Sequence, residues 1–156
     1  MTITTGTEWV MTEPDDIRVS AVVLRDADGR VLTVRKRGTR AFMFPGGKPE
    51  VGETAADTAV REVAEELGIG LDTAALVPMG TFRTAAANEE GRMVEAIVYE
   101  YGEVWSTQVT PAAEIEEVRW RSPDDLTPEL APLLAEAVFP ALAGRAGGAG
   151  RHPHRR

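Results

Sequence analysis

Three glutamates in residues 62–66 are spaced so that their side chains can lie together. Glu62, Glu65 and Glu66 are three and four positions apart, which makes them neighbours on one face of an α-helix. Like charges at this spacing destabilise a helix by roughly 0.2–0.5 kcal/mol per pair, and a bound cation would reverse that effect. Because Mg²⁺ prefers carboxylate oxygens, the pattern is compatible with a divalent-cation site. By composition alone, an acidic run of this kind is more often a solvated helix face.

The flanking residues predict the helix that carries these acids. Thr54 is a good N-cap and makes a capping-box-like pair with Asp57, while Gly68 can adopt the left-handed conformation that ends a helix. Apolar residues recur between them at helical spacing; they are Ala55, Ala56, Ala59, Val60, Val63 and Leu67. The acids border this stripe, so we expect them at the rim of a core.

A proline and two glycines at residues 45–47 precede the helix. Paired glycines allow a backbone conformation that other residues resist, and they let the chain approach a ligand closely. Residues 47–69 read GKPEVGETAADTAVREVAEELGI. This segment resembles the signature of the Nudix hydrolases at every constrained position. The string FPGGK at residues 44–48 is similar to the MutT-like branch, which acts on nucleoside triphosphates.

The resemblance implies a metal-dependent hydrolase that cuts a pyrophosphate bond of a nucleoside diphosphate derivative with water. The implied cofactor is Mg²⁺ or Mn²⁺, and the implied metal ligands are Gly46, Glu53, Glu62, Glu65 and Glu66. In the catalytic set, Arg61 would orient a motif glutamate through an ion pair. The general base stays open between Glu66 and Glu114, because family members use either a motif glutamate or a carboxylate from a later loop.

Basic residues near the corner are candidates for contacts with substrate phosphates. The run from Arg35 to Arg37 is the only dense basic cluster outside the C-terminal tail. We select Arg35, Arg37 and Lys48 for this role, although a short basic run can equally be solvent-facing. A nucleoside triphosphate or deoxynucleoside triphosphate is the favoured substrate, with oxidised forms included. A nucleotide sugar, a dinucleoside polyphosphate and a non-catalytic nucleotide-binding module are the alternatives; the intact acids favour the enzyme.

The order of apolar segments predicts an α/β fold with a mixed sheet packed between helices, which the resemblance sharpens to an α/β/α sandwich. We expect a first hairpin made of strands at residues 17–25 and 30–37, followed by a short strand at 41–44. In a second hairpin, residues 93–101 form the second strand. A strand at 114–120 and a helix at 129–142 follow. The predicted domain covers residues 1–143, with 1–16 as an N-terminal arm or edge strand and 144–156 as a disordered basic tail.

Composition limits the classes of partner. The chain has 156 residues, a net charge of −8 and no cysteine, so disulfides and thiolate metal sites are excluded. The body is more acidic than the whole chain because the tail is basic, which disfavours binding to long nucleic acids. No apolar run reaches the length of a membrane span, and no secretory signal is recognised. We therefore expect a cytoplasmic protein with a small nucleotide substrate, and a homodimer is compatible with the resemblance.

Overall fold

The computed structural model describes residues 15–150, with side chains as far as residue 145. A short 3₁₀ turn lies at Thr73–Ala75, and a π-helical segment, Leu133–Val138, leads directly into the last helix. The other elements, in chain order, are β1 Ile17–Val23, β2 Val31–Lys36, β3 Phe42–Met43, β4 Gly46–Gly47, α1 Ala55–Leu67, β5 Leu76–Ala85, β6 Met93–Tyr101, β7 Ile115–Arg121 and α2 Phe139–Gly150.

The strands form two sheets. The first has the order β4-β1-β6-β5, and the second has the order β3-β2-β7. β1 pairs in parallel with β6, whereas its pairing with β4 and all pairings of β5 and β2 are antiparallel. This combination confirms the predicted mixed sheet.

Two apolar layers cover opposite faces of the first sheet. Val22 of β1 packs in the layer that contains α1, whereas its neighbours Ala21 and Val23 pack in the layer that contains the C-terminal helix. This alternation follows from the pleat of a strand, which sends successive side chains to opposite faces. Because helices occupy both faces, the predicted α/β/α sandwich is confirmed.

The second predicted hairpin is confirmed, whereas the first is confirmed only beside its turn, where Arg25 and Val31 form an antiparallel bridge. β5 and β6 pair from Leu76 opposite Tyr101 to Ala85 opposite Met93. β1 and β2, however, belong to different sheets, and they meet only near their connecting turn, where Leu32 N–H donates to Leu24 O at 2.9 Å. β1 is buried on both faces, and its two edges are occupied by β4 and β6, so no edge is left for β2.

The C-terminal helix is displaced from its predicted bounds. It starts at Leu133 rather than 129, and it continues to Gly150 instead of ending at 142. The prediction of a disordered tail is therefore wrong for residues 144–150, where Arg145 forms an ion pair with Glu100 of β6 that ties the helix to the sheet. Residues 1–14, which are most of the predicted arm, and residues 151–156, the end of the predicted tail, lie outside the described residues. Between residues 15 and 150, no helix combines the length and apolar character that a membrane span requires.

Candidate active site

Helix α1 is fixed at both ends as its sequence predicts. Thr54 Oγ1 accepts from the N–H of Asp57 at 3.0 Å, and Asp57 Oδ2 accepts from the N–H of Thr54 at 3.2 Å. Gly68, at φ 67°, donates its N–H to Ala64 O. The hydroxyl of Ser20 on β1 donates to Ala55 O at 2.7 Å, so the first turn is tied to the central strand. These contacts set the rotation of the helix, and thus the direction in which its acids point.

The double-glycine corner is closely packed: a side chain at Gly46 would meet backbone atoms, and one at Gly47 would displace Glu62. A Cβ on Gly46 would lie 2.0 Å from Ser20 O, and φ of 149° would itself strain any other residue. A Cβ on Gly47 would lie 2.4 Å from Cδ of Glu62. The N–H of Gly46 donates to Glu66 Oε1 at 3.1 Å. Two of the three predicted acids, Glu62 and Glu66, therefore face the corner.

The three acids differ sharply in their environment. Glu66 is only 1% exposed. Burial raises its pKa to about 8 against the opposing hydrogen bond from Gly46, and the nearby Glu62 adds to the rise. Burial also raises the pKa of Glu62, although its contact with Arg61 opposes this. Glu65 is half exposed, with its carboxylate 3.5 Å from Arg61. Since buried carboxyl groups carry charge unfavourably, a cation beside Glu62 and Glu66 would offset the cost of ionising them.

Arg61 connects the acids to the loop before the helix. Its Nε donates to Glu53 Oε2 at 2.6 Å and its Nη2 donates to Glu53 Oε1 at 2.9 Å. Its Nη1 donates to Glu62 Oε2 at 3.0 Å, and Nη2 also reaches the carbonyl of Lys48. The hydrogen bond from Arg61 is the largest cause of a pKa near 2 for Glu53. Arg61 thus orients Glu62, whereas the oxygens of Glu53 accept hydrogen bonds from Arg61 and from the hydroxyl of Thr58.

The donors at the corner suit a hard divalent cation in kind. Gly46, Glu62, Glu65 and Glu66 supply only oxygen ligands, which is what Mg²⁺ and Mn²⁺ prefer. The carboxylate of Glu62 lies against Gly47, and that of Glu66 accepts from the N–H of Gly46. No three acidic or histidine side chains within residues 15–150 already converge as a metal site. The carboxylate of Glu62 is instead held by the guanidinium of Arg61.

The predicted phosphate ligands have other surroundings among the described contacts. Arg35 contacts Glu117 at 3.1 Å and donates to Thr39 O, and Arg37 lies 3.4 Å from Glu116. Lys48 is exposed on the loop before α1. None of the three contacts Glu62 or Glu66 among the described interactions, and their role as phosphate ligands stays a prediction.

Lys36 belongs to the basic cluster that the sequence indicates, although it was not selected from it, and it lies beside Glu66. It lines the same pocket as Glu66, and its charge lowers the pKa of that group. Lys36 follows Val34 by two positions on β2, and both line this pocket, whereas Arg35 lies on the other face. Alternation along the strand was the signal that could have identified Lys36, since side chains two apart share a face.

Glu114, the predicted alternative base, does approach this site. Its Oε2 lies 3.8 Å from Lys36 Nζ, and its carboxylate is half exposed. The loop that carries it is held to α1, because the N–H of Ala112 donates to the carbonyl of Glu66 at 2.8 Å. Glu114 and Glu66 are therefore both placed where they could accept a proton near the corner.

A pocket with about 640 Å³ of empty space, part of it open to solvent, leads away from the acids. Its polar end is formed by Lys36, Ser20, the two glycines and Glu66. The rest lies between the first sheet and the start of the C-terminal helix and is mainly apolar; it is lined by residues that include Val19, Ala21, Phe44, Val94, Leu133 and Leu134. One charged end and one apolar end suit a ligand that joins phosphates to an apolar ring system.

Comparisons with known proteins identify the family of this chain. The model of the NUDIX domain matches residues 15–142. A MutT-like protein of Streptomyces ambofaciens is 30% identical over 128 residues, which cover 82% of this chain and 77% of the relative. An RNA pyrophosphohydrolase of Halorhodospira halophila is 38% identical over 61 residues, which are 38% of this chain and 34% of that protein.

The fold comparison points the same way. The crystal structure of a MutT protein from Methanosarcina mazei superposes with a TM-score of 0.68 at 23% identity, over 84% of this chain and 94% of the other. At that identity the likeness concerns the fold alone, whereas the match to the domain model covers most of the chain. The chain therefore belongs to the Nudix family of hydrolases, and it is MutT-like within that family.

Proposed function

We propose that this Nudix hydrolase is a Mg²⁺-dependent pyrophosphohydrolase that acts on nucleoside triphosphates or deoxynucleoside triphosphates, oxidised forms included. The observation that carries the proposal is the position of Glu62 and Glu66. Both face the double-glycine corner: Glu66 lines the charged end of a pocket whose other end is apolar, and Glu62 lies against Gly47, which lines the same end. The pocket thus offers separate places for the phosphates and for the base.

Each side chain at the corner has a distinct task in this proposal. Gly46, Glu62, Glu65 and Glu66 would hold the cation, which when bound neutralises phosphate charge and acidifies water. Glu53 is assigned to the support of the loop, because Arg61 holds both of its oxygens. Arg61 keeps Glu62 turned towards Gly47.

Lys36 and Glu114 complete the charged end. The ammonium group of Lys36 lines the pocket and can attract a substrate phosphate, a role that we assign to it in place of Arg35, Arg37 and Lys48. Binding of the phosphate would compete with the 3.8 Å contact between Lys36 and Glu114. A released Glu114 would be free to accept a proton from water. Glu66 remains the other candidate for this step, since its carboxyl group faces the same corner.

Turnover of a substrate panel tests this function. The panel contains the common and oxidised deoxynucleoside triphosphates, nucleotide sugars, dinucleoside polyphosphates and a 5′-triphosphorylated RNA oligonucleotide, each with and without Mg²⁺. We expect release of phosphate or pyrophosphate from a nucleoside triphosphate only when Mg²⁺ is present. Preference for the RNA end or for a nucleotide sugar would contradict the proposed substrate class. Cell fractionation and light scattering test the cytoplasmic location and the homodimer.

Variants of the acids test the assigned roles. Replacement of Glu65 or Glu66 by glutamine removes a charge and an anionic ligand at nearly constant shape. We expect turnover to fall by about two orders of magnitude or more for each, a size typical of lost charge stabilisation at a reacting centre. Glu103→Gln, at an exposed position in a loop, is the matched control. Wild-type rates in both motif variants would show that the residue assignment is wrong.

Replacement of Glu114 by glutamine distinguishes the two candidate general bases, Glu114 and Glu66. Glu114→Gln should reduce kcat by about a hundredfold if Glu114 accepts the proton, which is within the usual range for general base catalysis. It should leave kcat nearly unchanged if Glu66 does so. Measurement of kcat at saturating substrate and Mg²⁺ distinguishes these outcomes.

A further inference from the structure

The backbone of Phe42 joins the second sheet to the start of the C-terminal helix. Its N–H donates to Glu129 O at 2.8 Å, and its carbonyl accepts from the N–H of Ala131 at 2.9 Å. On either side of this junction lie residues that form one wall of the substrate pocket; they are Met43, Phe44, Ala131, Leu133 and Leu134. The position of Phe42 therefore determines how both parts of this wall meet.

Arg121 of β7 holds this junction from behind. It is only 4% exposed, and the centre of its guanidinium lies 4.4 Å from the centre of the Phe42 ring. Its Nη2 donates to Glu129 Oε2 at 2.6 Å, and its Nη1 lies 3.7 Å from Asp125. One buried side chain thus contacts both the ring of Phe42 and the residue whose carbonyl Phe42 binds.

Two other arginines approach the same ring but hold it less firmly. The guanidinium centres of Arg119 and Arg35 lie 5.2 Å and 6.0 Å from the ring centre. The side chain of Arg119 is half exposed, and its short contact is with Glu117 rather than with Glu129. Exposed ion pairs contribute little to stability, whereas a desolvated cation on an aromatic face is worth more. Arg121 is therefore the member of this group that can fix the junction.

We propose that Arg121 is a positioning residue that sets the shape of the nucleotide pocket through Phe42 and Glu129. The inference rests on the proposed function for its kinetic consequence. The acids lie on α1 and the glycines on β4, and neither element contacts Arg121 through any interaction described above. Loss of Arg121 should therefore loosen the wall that binds the nucleotide, while the groups that perform the chemistry keep their positions.

Kinetics of two substitutions test this role. Arg121→Met keeps much of the length and apolar bulk but removes charge and planarity, and we expect KM to rise by about tenfold with kcat within about twofold. Arg121→Lys should recover only part of the loss, because lysine can bind Glu129 but cannot stack as a plane. Arg119→Met is the matched control and should leave KM nearly unchanged.

A measurement without nucleotide keeps the inference separate from the proposed function. Methyl NMR spectra of the unliganded protein should show shifted resonances for Leu133 and Leu134 in Arg121→Met, and smaller shifts in Arg121→Lys. If the wild-type protein hydrolyses no nucleotide, the proposed function fails and these spectra alone decide the inference. Should Arg121→Met not fold, Glu129→Gln, which removes the charge that Arg121 binds, takes its place with the same expectations. Unmoved methyl resonances, or a fall in kcat at constant KM, would overturn the role of Arg121.

Discussion

Replacement of Gly47 by alanine would test the contact on which the site depends. The new Cβ would lie 2.4 Å from Cδ of Glu62 and 2.6 Å and 2.8 Å from its two oxygens. These separations are about 1 Å shorter than ordinary contact between non-bonded atoms. The carboxylate is the movable end of a side chain, so it can turn away from the corner, but it must then leave its hydrogen bond with Arg61.

The magnitude follows from this geometry. Because the clash can be relieved by rotation of Glu62, we expect Gly47→Ala to cost no more than about 1 kcal/mol of unfolding free energy, at the low end for overpacking. Displacement of Glu62 from its working position should cost about 1–3 kcal/mol of transition-state stabilisation, which is a fall of about tenfold to a hundredfold in kcat/KM. Gly46→Ala should behave differently, since its Cβ meets the backbone oxygen of Ser20 at 2.0 Å and cannot be relieved. There we expect the free energy of unfolding to fall by about 3 kcal/mol or more.

Urea unfolding and kcat/KM, measured on the same preparations, separate these effects. Gly70→Ala is the matched control, because a Cβ at that position meets no atom within 4 Å and its backbone imposes no positive φ. It should be neutral in both assays. If Gly47→Ala retained the wild-type kcat/KM, the close packing of Glu62 on the corner would not matter for the reaction, and the reasoning would be refuted.

Two further predictions concern charges. Lys36→Met should lower kcat/KM by about tenfold to a hundredfold, which is the size of a lost hydrogen bond to a charged group. The control Arg37→Met should change kcat/KM by less than about twofold. Equal losses in both variants would contradict the assignment of Lys36. The hydrogen bonds from Arg83 lower the pKa of Asp16 below its ordinary value of 3.8. The ionised carboxylate therefore stabilises the folded state above pH 3.8, and this stabilisation is lost as the pH falls through 3.8 and below. Urea unfolding of Asp16→Asn should therefore show a deficit relative to wild type at pH 6 that shrinks towards pH 2, and a deficit independent of pH would exclude this ion pair as its cause.

Local signals in the sequence were sufficient for helix α1. Thr54, Asp57 and Gly68 act through contacts within four residues, so the predicted bounds of the helix agree with the structure. The spacing of the acids likewise depends only on helical periodicity. The hairpin of β5 and β6 was predictable for a similar reason, because its two strands are joined by a short polar loop.

Contacts between distant residues were not predictable in this way. β1 and β2 resemble a hairpin along the chain, yet β1 pairs with β4 and β6, and nothing in its own residues identifies those partners. The C-terminal helix extends beyond its predicted end, where Arg145 meets Glu100 of another element. In both cases the outcome depends on which edges and charges the folded sheet presents.

The sequence alone therefore determined the helix, its acids and the glycine corner, because each is defined by residues close together in the chain. Only the tertiary structure decided that Lys36 rather than Arg35 or Arg37 lies beside Glu66, and that Glu62 packs on Gly47. It also decided that Glu66 is buried while Glu65 stays exposed. The physical reason is that burial, the side of a strand that faces a pocket, and the distance between acids and cations all arise when separate elements pack together.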